Sequence, residues 1–212
     1  MVLLHCSAVV AETSFDTAKF IQDLGPVIIS AVALIVSYFL TKKTLEVQKE
    51  QTQKTLDAQK DTEARLIISK KLDEFYGPIL QLRKKSNLLY HKFSEKHRAS
   101  DPNFATLTYL LEGKTFQGND KKLLDEIINL GKECETLIHA KAGLIDDTEL
   151  RQTLIPRATT HFLILRLAAI GALSGDAEHF KDLTFPKELD EKLEARKKQL
   201  ETDLENLNKK TS

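Results

Sequence analysis

The feature that most constrains this chain is the uncharged apolar run at residues 24–40, Leu-Gly-Pro-Val-Ile-Ile-Ser-Ala-Val-Ala-Leu-Ile-Val-Ser-Tyr-Phe-Leu. Wound as a helix it covers about 25 Å, the short end of what crosses a bilayer core. Asp23 closes it on one side and Lys42-Lys43 on the other. The run predicts one transmembrane helix over 24–41. The competing reading is a buried helix in a soluble core, but such helices are usually shorter and seldom lead into so polar a stretch. Charge sets the orientation. Before the run the one Lys or Arg is Lys19, among Glu12, Asp16 and Asp23, whereas Lys42, Lys43, Lys49, Lys54 and Lys60 follow it. The positive-inside rule then places the N-terminus outside and the C-terminal part in the cytoplasm, with the protein in the inner (plasma) membrane. Tyr38 and Phe39 stand where an interfacial aromatic belt belongs.

Length leaves room for a short outer segment, one span and a domain of about 110 to 150 residues. Lys and Arg total 31 and Asp and Glu total 31, so no basic field argues for nucleic acid, and none is expected as a partner. With no Trp, 8 Gly and 5 Pro, and with strand-type alternation hard to find, the class is all-α. Cys6 and Cys134 fall on opposite sides of the membrane in this topology and lack metal-ligand spacing, so both read as plain thiols.

Residues 1–23 read as an extracytoplasmic tail followed by an interfacial helix. Met1 to Ala11 lacks the positive n-region of a signal peptide, and His5 stands before Cys6 where a lipoprotein needs a small residue. Ser14 or Asp16 caps the short helix through Phe20, Ile21 and Leu24, and Gly25-Pro26 turns the chain inward.

Residues 42–66 form a helical, coiled-coil-like stalk. Positions 42–52 are echoed at 53–63: Lys43/Lys54, Thr44/Thr55, Leu45/Leu56, Gln48/Gln59 and Lys49/Lys60 match. An 11-residue period is about 3.67 residues per turn, close to a straight helix. Between Val27 and Tyr76 there is no Pro or Gly, so the span continues into the stalk. Ser30, Ala33, Ser37 and Thr41 recur at helical spacing and extend through Gln48, Thr52, Thr55 and Gln59. Small residues let membrane helices approach closely and hydroxyls bond across the contact, which predicts a homo-oligomer through span and stalk. The alternative is a solvated spacer helix, since apolar seam positions are few for a coiled coil.

Residues 67–212 read as a cytoplasmic helical bundle. Ile68, Leu72, Phe75, Ile79, Leu82, Leu89 and Phe93 keep a heptad, with Ser86 as its polar gap, and Gly77-Pro78 kinks or breaks it. Ser94 to Asn103 reads as a polar loop, then a short helix turns Phe104, Leu107, Leu110 and Leu111 inward. Asp120 caps the next helix, with Leu124, Ile127, Ile128, Cys134 and Ile138 as core. His161 to Leu173 is the central buried helix, ended by Gly175-Asp176, and Pro186 opens the last one, striped by Leu189, Leu193, Leu200, Leu204 and Leu207.

Chemistry is sparse. There is no Gly-rich phosphate loop, paired Cys motif, His-Glu-x-x-His or nucleophile elbow, so no catalytic residue, cofactor or metal site is assigned and the chain is not read as an enzyme. Asp146 and Asp147 read better as helix caps than as metal ligands, with Arg151 an i+4 partner of Asp147. Arg157, His161 and Arg166 share part of a face on an apolar helix. A buried Arg there requires an internal carboxylate or a small anionic ligand, and the three form the candidate ligand site. The basic stretch from Lys84-Lys85 to Arg98, with His91 and His97, reads as a solvated face rather than a headgroup or nucleic-acid contact.

Asp73-Glu74-Phe75-Tyr76-Gly77-Pro78, Ala142-Gly143-Leu144-Ile145-Asp146-Asp147 and Phe185-Pro186-Lys187-Glu188-Leu189 resemble a group of uncharacterised bacterial proteins with one N-terminal span and a helical cytoplasmic domain. That resemblance carries over no activity or site. The sequence therefore implies a membrane-anchored, self-associating interaction or scaffold protein whose partners are the bilayer, its own copies, and a cytoplasmic protein or small anion. The alternative is a ligand-gated, membrane-permeabilising effector of a bacterial defence or toxin system.

Overall fold

A computed structural model of the chain describes residues 17–175 and 177–210, and the side chains among them except those of 17–29, 177 and 181. The tail and capping residues expected before Thr17 lie outside the described residues. The described residues form helices joined by short turns and loops, without strands, and the α-helices run in the order α1 (Thr17–Lys71), α2 (Gly77–Ser100), α3 (Thr106–Leu111), α4 (Gly118–Ala140), α5 (Ile155–Ala169) and α6 (Glu188–Lys209). The fold class is all-α, as expected.

Among the described residues no helix is long and apolar enough to cross a membrane. Of the stretch 24–40, side chains are described from Ser30 to Leu40, a segment of about 16 Å. The backbone is helical from Thr17 straight through Gly25 and Pro26, so the expected inward turn is absent. One missing donor at a proline is compatible with an otherwise intact ladder where side chains or neighbouring helices support it.

The chain divides into two units, one ending at Gln59 and one beginning at Lys60, and α1 contributes residues to both. In the first unit the side chains of the seam, Ser30, Ala33, Ser37, Thr41, Gln48, Thr52, Thr55 and Gln59, are all exposed. The threonine hydroxyls donate to their own helix: Thr41 to the Ser37 carbonyl at 2.8 Å, Thr52 to Gln48 at 2.8 Å and Thr55 to Gln51 at 2.9 Å. Such back-bonding uses the hydroxyl hydrogen, so in this conformation these threonines offer a neighbour only acceptor lone pairs.

The second unit packs around α2. A continuous chain of helix leads into it: α1 ends at Lys71, a π-helical turn spans Leu72–Tyr76, and α2 begins at Gly77. The α-helical ladder thus gives way just ahead of Gly77-Pro78 and a new α-helix starts there with Pro78 in its first turn, while the backbone stays helical across the junction. Proline has no N–H and its ring crowds the carbonyl four residues back, and widening one turn relieves both problems. The Gly77 N–H reaches the Leu72 carbonyl, and a Cβ at Gly77 would stand 2.8 Å from that oxygen. The same device recurs at Leu150–Leu154, where the Ile155 N–H bonds to the Leu150 carbonyl just before Pro156.

The apolar stripe of α6 does pack on the π turn and α2, with Leu189, Leu193 and Leu200 buried. One core cluster holds Phe75, Tyr76, Ile79, Cys134, Ile138, Leu150, Ala158 and Phe162 with that stripe. A second holds Phe93, Phe104, Leu107, Leu111, Phe116, Leu124, Ile127, Leu165 and Ala168.

Three boundaries differ from the sequence expectation. Residues 94–100 are helix rather than loop, because His97 stacks on Phe104 at 4.7 Å and against Phe93 at 5.1 Å, which extends the apolar face of α2. Gln117, not Asp120, is the N-cap of α4, and Asp120 instead pairs with Lys96 at 2.9 Å. Helix α5 stops at Ala169, and Leu163 and Ile170 are exposed, so its sequence is apolar beyond its one buried face.

Candidate functional site

Helices α2, α4 and α5, the start of α3, and the first turn of α6 with the segment before it surround a cleft of about 620 Å³, within the range that holds a small organic ligand. Its walls come from both core clusters: Phe104, Leu107, Ile127 and Leu165 from one, Phe162 from the other. The ring of Phe162 lies close on α4 because residue 131 is glycine. A Cβ there would meet Phe162 Cδ1 at 3.0 Å.

The polar groups of the cleft are built on Arg83, which is 4% exposed. Its Nε donates to Asp190 Oδ1 at 2.8 Å and its Nη2 to Asp190 Oδ2 at 3.0 Å and to Asn87 Oδ1 at 3.1 Å. Asn87 Nδ2 donates in turn to Asp190 Oδ2 at 2.7 Å. The guanidinium carbon lies 4.0 Å from the centre of the Phe185 ring, a close cation–π contact. A buried charge of this kind persists only when paired and hydrogen-bonded. The pairing also neutralises Asp190, which is the one acidic residue lining the cleft.

His161 lines the cleft with its Nδ1 2.9 Å from the Leu183 carbonyl. Since a carbonyl only accepts, Nδ1 carries the proton, and in the neutral ring Nε2 keeps its lone pair. Burial holds the imidazole below its ordinary pKa, against the bond to Leu183, and the charge of Arg83 acts in the same direction as burial. Both influences favour the neutral ring.

The three residues grouped from the sequence do not assemble into one site. Arg166 is held by Glu135 at 3.0 Å, the internal carboxylate that the sequence argument required. Arg157 is exposed and does not line the cleft. Of the trio only His161 contributes. The buried arginine that matters is Arg83, which lies four residues after Ile79 on the buried face of α2. That spacing was the available signal.

The acidic pair 146–147 is structural. Asp147 caps its helix, taking the Leu150 N–H at 2.8 Å. Lys192, rather than Arg151, is the cation beside Asp147, at 3.7 Å. Asp146 caps nothing. It accepts from Lys71 at 2.6 Å, Tyr76 Oη at 2.9 Å and Arg196 at 2.6 Å, tying α1 and the π turn to α6. Among the described residues no group of three or more His, Cys, Asp or Glu is placed to hold a metal ion.

The basic stretch of α2 is largely neutralised, by Lys84–Glu194, Lys85–Glu126, Lys92–Glu95 and Lys96–Asp120. What remains is at the cleft. Arg98 and Lys187 are exposed and line it together with His91, and among the described residues neither is in an ion pair. No known protein family, curated protein or solved structure matches this chain, so the reading of the site rests on its own geometry.

Proposed function

We propose that this protein is a membrane-anchored interaction protein, with the N-terminal part of α1 in the bilayer and the helical domain held at its cytoplasmic face. What supports the anchor is the side-chain pattern of α1. Val32, Leu34, Ile35, Val36, Tyr38, Phe39 and Leu40 are 50 to 73% exposed. At about 100° per residue, these positions cover about two thirds of the circumference, and Ser30, Ala33, Ser37 and Thr41 occupy the remaining arc. A helix with so wide an apolar arc is stable in water only when something covers it, and lipid covers that whole arc at once. The lysines that follow, Lys42, Lys43 and Lys49, favour the N-out, C-in orientation.

Within that reading, copies associate along the seam from Ser30 to Gln59, and the domain of each copy is displayed to a cytoplasmic partner. Carbonate-washed membrane fractions and a reporter fused after Ser212 test the anchor. Retention in the pellet with a cytoplasmic reporter is expected. An intact chain in the soluble pool, or a periplasmic reporter, overturns it.

The cleft favours a second reading, a ligand-gated effector in which occupancy of the domain reorganises the spans and permeabilises the bilayer. A membrane-potential dye during overexpression separates the two, because a passive scaffold leaves the potential unchanged.

A further inference from the structure

We infer that the cleft beside Arg83 is a binding site for a nucleotide-like anion, a flat hydrogen-bonding ring that carries a phosphate. This goes beyond the membrane reading and does not depend on it. Three observations point the same way. The first is the wall: Tyr90, Phe104, Phe162 and Phe185 supply ring faces and edges, and Leu107 and Ile128 supply aliphatic surface, which suits a planar ring better than a solvated chain.

The second is a buried polar side chain left open. Thr106 lines the cleft and is 5% exposed, and among the described residues its Oγ1 has no hydrogen-bond partner. Buried hydroxyls are almost always satisfied, and leaving one without a partner costs free energy. A ligand seated against Thr106 with ring nitrogens or exocyclic groups, reached by a small turn of this side chain, would supply the missing bond. Asn87 is a further fixed amide on the wall, already oriented by Arg83 and Asp190.

The third is charge. The Arg83–Asp190 pair cancels inside the cleft, whereas Arg98 and Lys187 remain as cations at its exposed edge, with His91 beside them. Arg98 lies 6.0 Å from the centre of the Tyr90 ring. Two unpaired cations match a doubly charged phosphate better than a single carboxylate. A neutral ring would leave both cations without a counter-charge.

The test is titration calorimetry on the full chain in nanodiscs. The probes are adenosine 5′-monophosphate and guanosine 5′-monophosphate, with adenosine as the uncharged ring and laurate as the anion without a ring. Saturable binding of at least one nucleotide is expected, with adenosine and laurate each weaker by about tenfold or more, the scale of one lost charged contact. Arg98→Glu and Lys187→Glu, both at exposed positions, should each weaken the nucleotide by about tenfold. Lys121→Glu, outside the cleft, should leave binding unchanged. Ile128→Trp, which fills the cleft, should abolish it while circular dichroism reports an intact helical fold. The inference is overturned if neither nucleotide binds, if Arg98→Glu and Lys187→Glu both leave binding unchanged, or if laurate binds as tightly. A protein found soluble by fractionation would sink the membrane reading and leave these titrations as they stand.

Discussion

Arg83 and Asp190, 107 residues apart, meet through two near-parallel hydrogen bonds of 2.8 and 3.0 Å, with the arginine almost wholly out of solvent. Removing the carboxylate leaves a buried guanidinium with Asn87 as its one remaining hydrogen-bond partner among the described residues and no counter-charge. Asp190→Ala should therefore destabilise the domain by about 3 kcal/mol, read as a lowered urea midpoint. The double change Arg83→Met with Asp190→Leu should cost much less, because no charge is then left unpaired.

The wide turn before Pro78 depends on a residue with no side chain. Gly77→Ala sets a Cβ 2.8 Å from the Leu72 carbonyl, against backbone that cannot swing aside. A loss of about 1 to 3 kcal/mol is expected by chemical denaturation. Gly113→Ala, where a Cβ meets nothing within 4 Å but φ is +77°, should instead show a smaller cost, set by conformation alone.

Acid sensitivity should centre on Asp146. Burial by itself would raise its carboxyl, but the hydrogen bonds from Arg196, Lys71 and Tyr76 outweigh that and hold it well below the ordinary range. A depressed folded-state pKa stabilises the fold above the unfolded value, about 3.9, and the stabilisation is lost as pH falls from there toward the folded value. Melting temperature should thus drop steeply below about pH 4, and Asp146→Asn should flatten that part of the curve while lowering stability at pH 7.

Cys134 is fully buried, and burial pushes its thiol up to about 11. Thiolate is the reactive form, so in a Cys6→Ser background the native protein should resist a thiol reagent at pH 8 and react fully in denaturant. Rapid labelling of the native protein would contradict the packing of α4 against α2.

Association along α1 has its own test. Ala33→Leu and Ser37→Leu place bulk where the seam needs close approach, and should shift detergent-solubilised protein toward monomer by mass photometry. An unchanged distribution, or a wild type that is monomeric throughout, removes the assembly.

Helix class, the apolar stripes of α2 and α6 and the order of elements were legible because each repeats locally at helical spacing. Phe75, Ile79, Leu189 and Leu193 could be placed inward without knowing what they touch. The candidate site was not legible in that way. It joins Arg83 to Asp190 and Thr106 to Phe162 across long separations, and local periodicity carries no information about such pairs. His161 was found because it interrupts an apolar helix. Arg83 was missed because its neighbours Lys84 and Lys85 made it look like one more surface cation. Asp146 was misassigned as a cap for a related reason: an Asp-Asp-Thr start suits capping, and only the fold brings Lys71, Tyr76 and Arg196 around it.

The π-helical turn at Leu72–Tyr76 also changes how distances along this chain must be counted. It absorbs one more residue than an ordinary turn, so a repeat reckoned straight through it slips by one place, about 100° around the axis. Deleting a single residue inside that turn would leave the upstream and downstream faces aligned much as they are. The same deletion between Pro78 and Arg83 has no slack to draw on, and would swing Arg83 off the wall it shares with Phe162 and Phe185.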